Sequence, residues 1–359
     1  MKRILLISTI YRVGERIYPT IPKLSEEFEV DVLKTAQMGD KITWYGNDDL
    51  REVFDNLYGE YVKNIFHKKP SLYNYDLIIM DDDRPRYGMS DIYNQAKQLG
   101  IPVIGHQHGN QEIVNILPNL RARGRTSWDY VTVFGQKERD LYSPHIDCNL
   151  VLNGGIPCND KLKDYKKTNE NILVIVNFLG NRNAPFNNFD TEVFDKLCLL
   201  DLQKQYNKNV VIKIKSRADN PQGKTEDFKY LNDILHKDLK YDIVMDIDDD
   251  NKLISDSFFV ISAPSVMALK PIQMGIPTVV LANTLKPIPK VGISLNNQYG
   301  QIGTFFDWDV QPLEVESIVE NIENQFNKGR DFEWIERTIE GGVEYNSTEK
   351  YIQHIRNII

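Results

Sequence analysis

The sequence predicts an α/β protein with two Rossmann-like domains that face each other across a cleft. Short, continuous apolar runs alternate with helical stretches, which is typical of parallel strands covered on both faces. The pattern stops at a polar segment, 154–171, rich in Gly, Pro and Asn, and restarts after it. A chain of 359 residues is also long enough for two domains that each bury a core.

The first half carries a series of apolar runs of strand length. In the segment 90–100 between two of them, Ile92, Ala96 and Leu99 recur at helical spacing, and Gly100 stands where a helix would end. This alternation predicts a doubly wound sheet, in which ligands bind beyond the carboxyl ends of the strands. The predicted strands are 3–8, 30–35, 75–81, 101–106, 129–135 and 149–154.

A second series of runs follows the polar segment. We therefore predict an N-terminal domain over 1–155 and a C-terminal domain over 171–335, joined by that segment. The tail from about Leu313 onward reads as helical, and 336–359 is predicted to form a terminal helix that packs back on the N-terminal domain. The predicted strands of this half are 171–180, 209–216, 241–248, 257–263 and 276–283.

Composition narrows the class of protein. A net charge of −8 and a pI near 5.4 disfavour a nucleic-acid binder, which needs a broad basic surface. Cys148, Cys158 and Cys198 are odd in number and match no metal-binding spacing, so reduced thiols in a cytoplasmic compartment are expected. No apolar run reaches the roughly 18 residues of a membrane span. Charged residues directly after the first run favour a buried strand over a signal sequence.

A histidine-containing loop directly follows the predicted strand 101–106. An imidazole exchanges protons near neutral pH, so we predict His108 as general base or substrate-orienting group, with His106 as second candidate. Gly109 and Asn110 would form a substrate loop, since glycine permits close backbone approach. Two alternatives stay open. A histidine could merely hydrogen-bond the loop backbone, and a His-x-His zinc pair is conceivable, although it has no evident third ligand.

Cations cluster at the end of the predicted strand 209–216. Alternation puts Lys213 and Lys215 on one face of that strand, and Arg217 follows in the loop. Such cations suit a diphosphate, Arg by its fork and Lys as a point charge. The alternative is a solvated edge strand that carries lysines.

Small polar residues follow the predicted strand 257–263. Ser262 and Ser265 could cap the next helix, whose N-terminus would accept an anion. Capping without a ligand is the alternative. A short loop also follows the first strand of each half: Ser8-Thr9 in the first half, and in the second a loop with Asn181 and Arg182, which we predict to be a substrate loop. Neither of these two loops is a G-x-G-x-x-G or a P-loop, which disfavours a dinucleotide or a Walker-type ATPase.

Two acidic clusters remain, 81–83 and 246–250. The first follows a predicted strand, so a magnesium site is conceivable, but adjacent carboxylates repel and most such clusters are solvated loops. We expect that no cofactor is required, and a divalent metal stays an open alternative.

Several segments resemble a known superfamily. The runs IPVIGHQHGN, WDYVTVFGQKERD and NGGIPCND, all within 101–160, resemble the end of the N-terminal domain in GT-B glycosyltransferases. Relatives of that pattern include sugar-nucleotide 2-epimerases, capsule-type transferases and polyol-phosphate transferases. In the second half, VVIKIKSRAD and DNKLISDSFFVISAPSVMALKPIQMGIPTVVL resemble segments of capsule and teichoic-acid-type transferases, the latter a segment that contacts the nucleotide.

The resemblance implies residue roles. His108 would be the cleft histidine, Lys213 and Arg217 would serve the phosphates, and Ser265 would meet the nucleotide. The N-terminal domain would face the acceptor and the C-terminal domain would bind the nucleotide. Two positions depart from the pattern: Lys215-Ser216 stands where the family has a histidine, and Lys270 stands where it has an acidic residue that often binds ribose. By its position we count Lys270 among the candidate nucleotide- or phosphate-binding residues.

The function implied is a cytoplasmic glycosyltransferase of polysaccharide biosynthesis. It would move a sugar from a nucleoside-diphosphate donor to a glycan or lipid-linked acceptor, with peripheral membrane contact left open and no nucleic-acid partner. Cations and a helix start would stabilise the departing diphosphate, so a metal is not needed for that role. The alternatives are a UDP-N-acetylhexosamine 2-epimerase, a CDP-polyol phosphotransferase, and a non-catalytic relic that binds a nucleotide or glycan, which Lys270 favours most.

Overall fold

The chain divides into two compact units, Met1–Lys161 with Glu333–Ile359, and Leu162–Phe332. Each is described here by itself, as unit 1 and unit 2. The structure, a computed structural model, describes residues 1–8, 14–34, 37–38, 41–42, 54–81, 89–107, 128–142, 148–176, 178–179, 188–189, 194–195, 197–214, 221–245, 249–262, 265–281, 312–313 and 329–359.

Unit 1 contains a seven-stranded sheet in the order β3-β2-β1-β4-β5-β6-β7, and every neighbouring pair is parallel. All the predicted strands of this half are present, with ends that differ by a few residues. The short strand β3 was not predicted, because it is partly exposed and lies at the sheet edge. The strands are β1 Arg3–Ser8, β2 Glu29–Lys34, β3 Asn64–Phe66, β4 Leu77–Met80, β5 Val103–His106, β6 Tyr130–Val133 and β7 Val151–Asn153.

Both faces of this sheet are buried, which explains its continuous apolar runs. On β1, Ile4 and Leu6 face one core cluster, while Leu5 and Ile7 face another. A short antiparallel pair, Gln37–Met38 with Lys41–Ile42, lies outside the main sheet. The helices of this unit are α1 Ile21–Ser25, α2 Met89–Leu99 and α3 Gln136–Tyr142 in its first part, then α8 Phe332–Thr338 and α9 Ser347–Ile358. The 3₁₀ segments are Tyr18–Thr20, Gly59–Tyr61, Cys148–Leu150 and Pro157–Asp164.

The predicted end of α2 is confirmed. Gly100 has a φ of +70°, and its N–H donates to the Lys97 carbonyl at 3.2 Å. The next N–H, that of Ile101, donates to the Ala96 carbonyl at 2.9 Å. This pair of bonds is a Schellman motif, which glycine favours because it adopts the left-handed conformation without strain.

Unit 2 contains a six-stranded parallel sheet in the order β10-β9-β8-β11-β12-β13. Its order, 3-2-1-4-5-6 within the unit, is that of a Rossmann sheet. A parallel pair, Phe178–Leu179 with Asn188–Phe189, stands apart from it. The strands are β8 Asn171–Val176, β9 Asn209–Ile214, β10 Tyr241–Val244, β11 Ser257–Ser262, β12 Thr278–Leu281 and β13 Pro312–Leu313. The helices are α4 Leu199–Tyr206, α5 Pro221–Ile234, α6 Asp250–Ser255 and α7 Leu269–Met274, with a 3₁₀ segment at Val266–Ala268.

The last helix, α9, belongs to the core of unit 1. Tyr351, Ile352 and Ile355 are buried in the same cluster as Ile4 and Leu6 of β1. Burial at i, i+1 and i+4 defines the apolar stripe of an amphipathic helix. None of the helices within the described ranges is both long and apolar enough to cross a membrane.

The first part of the polar segment 154–171, directly after β7, holds the start of α9. Asp160 accepts hydrogen bonds from the backbone N–H groups of Ser347 and Thr348, at 2.9 and 2.7 Å. These are two of the donors that a helix start leaves unpaired. Gly155, with a φ of +66°, lies against the same turn, and a Cβ there would stand 2.4 Å from the Glu340 carbonyl oxygen.

Candidate functional site

His106 ends β5 at the carboxyl edge of the unit 1 sheet, as predicted, but its ring is completely buried. Its Nδ1 lies 2.9 Å from Oγ1 of Thr132, the residue paired with it on β6. The Tyr351 ring of α9 packs edge-on against it at 5.7 Å between centroids, and the Phe134 ring lies at 6.2 Å.

These surroundings hold the imidazole neutral. Burial, and secondarily the charge of Arg16, lower the pKa of His106 to about 3. A ring of this kind does not exchange protons near pH 7. Of the two predicted histidines, His108 is therefore the better candidate for the general base. His108, Gly109 and Asn110 lie outside the described residues.

The residue after His106 fixes the start of that loop. Gln107 is buried, and its N–H donates to the Thr132 carbonyl at 2.9 Å. Its Oε1 accepts from the Phe134 N–H at 3.0 Å. The chain is therefore anchored at the end of β5.

A second buried titratable group lies near this edge. Glu138, in the first turn of α3, is completely buried, and burial raises the pKa of its carboxyl well above its usual range. Tyr351 is buried likewise, and burial raises the pKa of its phenol. Burial therefore favours the neutral form of each of these side chains.

The carboxyl edge of the unit 2 sheet carries charge. Lys213 of β9, Ile175 of β8 and Ser262 of β11 are in register across three adjacent strands. In a parallel sheet such a row points to one face. The sheet thus brings Lys213 and Ser262, two predicted phosphate-binding residues, to the same face and end of unit 2.

The alternative interpretation of Lys213, as a lysine on a solvated edge strand, is wrong. β9 lies between β8 and β10 rather than at the sheet edge, and Lys213 is only 7% exposed. Its ammonium forms an ion pair with Asp250 Oδ1 at 3.1 Å. A buried lysine requires such a partner, because an unpaired charge in the interior is costly.

Lys270 lies at the same end of the unit, near the start of α7. Its Nζ donates to Asn251 Oδ1 at 2.7 Å. Asn251 and the partner of Lys213, Asp250, are consecutive residues of α6. The first turn of α6 therefore holds the two lysines on adjacent side chains.

The residue before them caps that turn. Asp249 accepts hydrogen bonds from the N–H groups of Asn251 and Lys252, both at 3.0 Å. It also accepts from the Tyr165 hydroxyl at 2.8 Å. The acidic cluster was noticed in the sequence, but its part in holding Lys213 was missed. A sequence pattern could have revealed this role: aspartates directly before an apolar helical stretch also mark the start of a helix.

Ser265 acts as the predicted cap. Its hydroxyl accepts from the Met267 N–H at 3.2 Å and begins the 3₁₀ segment that leads into α7. A capping role for Ser265 is compatible with both predicted alternatives, a helix start that binds an anion and a cap without a ligand. The other predicted binding residues of unit 2, Lys215, Arg217, Asn181 and Arg182, lie outside the described part of the chain.

Within the described ranges, no three His, Cys, Asp or Glu side chains come together as metal ligands. Cys158 and Cys198 are free thiols. Asp81 is buried, whereas 82–83 of the same acidic cluster lie outside the described ranges.

Comparison with solved structures shows the fold. S. aureus MnaA with UDP has a TM-score of 0.60 at 15% identity, over 100% of this chain and 98% of that chain. The UDP-GlcNAc 2-epimerase of Methanocaldococcus jannaschii, with UDP-GlcNAc and UDP, has 0.59 at 12%, over 99% and 100%. HepE of Anabaena, with UDP-glucose, has 0.54 at 10%, over 100% and 98%. These structures have the GT-B fold, which confirms the predicted α/β fold class.

Comparison of sequences shows the family. No curated protein matches the chain. Residues 105–338 match the model of a family described as "putative O-antigen biosynthesis protein". This match spans more than half of the chain and includes the candidate residues from His106 to Lys270, so the chain belongs to that O-antigen biosynthesis family.

Proposed function

We propose that the protein is a glycosyltransferase that moves a sugar from a nucleoside-diphosphate donor to a glycan or other acceptor in polysaccharide biosynthesis. The observation that carries this proposal is the charged carboxyl edge of unit 2, with Lys213, Ser262, Ser265 and Lys270 at one end of a Rossmann sheet. Ligands of such sheets bind at that end. Membership of an O-antigen biosynthesis family supports it, because O-antigens are polysaccharides.

The donor diphosphate is the group that this edge suits. When the bond between the sugar and the diphosphate breaks, negative charge develops on the departing phosphate oxygens. Fixed cations and backbone N–H groups stabilise that charge where it develops. Lys215, Arg217, Asn181 and Arg182 follow the ends of β9 and β8 in sequence, and we assign them to the same nucleotide.

The general base is assigned to His108. It follows two residues after the anchored end of β5, with Gly109 and Asn110 in the same loop. A neutral imidazole there would accept the proton of the acceptor hydroxyl as the new glycosidic bond forms. His106 then orients the loop from within the core rather than contacting substrate.

A 2-epimerase acting on UDP-N-acetylhexosamine is the second candidate. The similarity in fold to the M. jannaschii UDP-GlcNAc 2-epimerase favours it, since that structure contains UDP-GlcNAc and UDP. The two candidate reactions differ in whether they require an acceptor and in their products. A transferase consumes donor and releases the nucleotide diphosphate, whereas an epimerase converts UDP-GlcNAc to its epimer without an acceptor.

The test is turnover across UDP-, GDP-, CDP- and CMP-sugars, with free nucleotide and sugar epimers measured separately. Release of a nucleoside diphosphate, increased by a glycan acceptor, is the expected result. Epimer formation from UDP-GlcNAc without acceptor would favour the second candidate. Release of CMP from a CDP-polyol would indicate the phosphotransferase alternative. Tight nucleotide binding without turnover of any donor would contradict both enzyme assignments and favour the relic.

Arg217 offers a test of the nucleotide assignment. A charge-assisted hydrogen bond contributes about 1.5–3 kcal/mol. Arg217→Ala should therefore weaken binding of the cognate nucleoside diphosphate by roughly ten- to a hundredfold, and binding of the nucleoside much less. Titration calorimetry with UDP, GDP, CDP and their nucleosides measures both. Lys204→Ala, at an exposed position of α4, is the matched control. Equal weakening for nucleoside and diphosphate would show that Arg217 acts on structure.

A further inference from the structure

The first turn of α6 holds two lysines on side chains of the same shape but different charge. Asp250 Oδ1 lies 3.1 Å from the Lys213 ammonium, and Asn251 Oδ1 accepts from the Lys270 ammonium at 2.7 Å. Aspartate and asparagine differ by an NH₂ group in place of one oxygen, so the two contacts are similar in geometry. They differ in how much of each lysine's positive charge the partner neutralises.

The positive charge of Lys213 is already neutralised by its ion pair with Asp250. The ammonium is about nine-tenths buried, and its partner Asp250 carries a full negative charge. An anion that approaches this pair meets the carboxylate as well as the ammonium. To bind Lys213 directly, a phosphate must displace Asp250 or accept repulsion from it.

Lys270 is compensated far less. Its described partner is a neutral amide, and no carboxylate of the described residues forms an ion pair with it. The side chain is part-buried, so solvent screens its charge less than it would at the surface. Of the two lysines that α6 holds, Lys270 therefore keeps its net positive charge, although Lys213 looks the stronger candidate from the sequence.

We propose that Lys270 is the main phosphate-binding cation among the described residues of unit 2, and that Asp250 and Asn251 set the anion affinity of this edge by compensating one lysine and sparing the other. The ligand class is the nucleoside diphosphate of the proposed function, on which this inference rests. Asp250 acts as a resident counter-ion of Lys213 and lowers affinity. Asn251 orients Lys270 without neutralising it.

The test exchanges charge without changing shape. Asp250→Asn frees Lys213 from its counter-ion, so affinity for the best-binding nucleoside diphosphate of a UDP, GDP and CDP panel should rise by about three- to tenfold. Asn251→Asp gives Lys270 a counter-ion, so affinity should fall by about the same factor. A purely structural role for either residue predicts weakening in both variants.

The double variant, with Asp250→Asn and Asn251→Asp together, provides the matched control. It keeps the net charge and moves the counter-ion from one lysine to the other, so its affinity should lie within about threefold of the unmodified protein. Thermal unfolding of each variant establishes the temperature at which it is folded, and titrations are made below it. The parent nucleoside, which has no phosphate, should bind all variants alike.

Lys270→Gln should weaken diphosphate binding at least tenfold, whereas Lys213→Gln combined with Asp250→Asn, which removes both charges of the compensated pair, should change it by about threefold or less. Weaker binding after Asp250→Asn, or unchanged binding after Asn251→Asp, would overturn the inference while leaving the proposed function intact. Absence of nucleotide binding by the unmodified protein would instead overturn the proposed function, and the inference with it.

Discussion

The two units have parallel sheets with the same strand order about their first strand, yet the carboxyl edges of those sheets differ in chemistry. In unit 1 the edge residue His106 is buried beneath an aromatic ring of α9 and is held neutral. The second strands of the two sheets end alike, in a buried lysine paired with an aspartate: Lys34 with Asp55 in unit 1 and Lys213 with Asp250 in unit 2. Unit 2 carries in addition the part-buried Lys270. Equivalent topology therefore accounts for some strand ends, but not for all of them. What packs over the end decides it.

The covering of unit 1 depends on the chain crossing back to it. Asp160 caps α9, and Gly155 allows the turn at Glu340 to approach. Tyr351 then reaches His106. If this explanation is correct, changes in the covering segment should affect unit 1 strongly, and comparable changes at the start of α6 should affect unit 2 less.

The largest expected effect is that of Gly155→Ala. The residue has a φ of +66°, and an added Cβ would meet the Glu340 carbonyl oxygen at 2.4 Å and Ser347 Oγ at 2.5 Å. Backbone strain together with this clash should lower the free energy of unfolding by about 3 kcal/mol or more. Urea unfolding measures it.

Gly100→Ala is the control for Gly155→Ala. Gly100 has a φ of +70° but no atom within 4 Å of an added Cβ. It should cost only the conformational part, about 1–2 kcal/mol. Equal losses for the two variants would contradict the close approach of the 340–347 turn.

The acid sensitivity of unit 1 is the next effect in size. The pKa of His106 is lowered to about 3 in the folded state, from an ordinary value near 6.5. The unfolded chain therefore binds a proton that the folded chain does not between those values. The contribution of His106 to the free energy of unfolding is full above pH 6.5 and falls as the pH drops, by roughly 1.4 kcal/mol per pH unit, or about 2–3 kcal/mol by pH 4.5.

His106→Gln should reduce that acid slope, because it removes the group that titrates. His67→Gln, at an exposed position, should retain the slope of the unmodified protein. Unfolding measured by urea at pH 4.5, 5.5, 6.5 and 7.5 separates the variants. An unchanged slope after His106→Gln would mean that another group governs acid unfolding.

The smallest expected effects compare two helix caps. Asp160→Ala removes the acceptor for the Ser347 and Thr348 N–H groups of α9 and should cost about 1–2 kcal/mol. Asp249→Ala removes the cap of the shorter, more exposed α6 and should cost about 0.5–1 kcal/mol. A larger loss at Asp249 would show that the α6 turn, rather than the α9 covering, is the more important to stability.

Much of the fold could be predicted from the chain alone. The strands of both sheets coincide with apolar runs, because a strand buried on both faces must be apolar at nearly every position. The edge strand Asn64–Phe66 gave no such signal, because it is partly exposed and three residues long. Pro312–Leu313 is shorter still.

The site was predictable only as a set of positions. Residues after apolar runs were expected at the carboxyl edges, and His106, Lys213, Ser262 and Ser265 are found there. Their chemical states depend on residues distant in sequence, so periodicity could not reveal them. Asp250 neutralises Lys213, and Tyr351 covers His106.

The sequence by itself determined the α/β class, the position of most strands and the polar segment between two strand series. Those features follow from local properties, namely apolar burial along a strand and polar residues where backbone meets water. Only the tertiary structure decided which of the side chains at strand ends are buried and neutral, which are paired with a counter-ion, and which keep their charge. The charge and pKa of a side chain depend on burial and on the groups within a few ångströms, and folding brings those groups from remote parts of the chain.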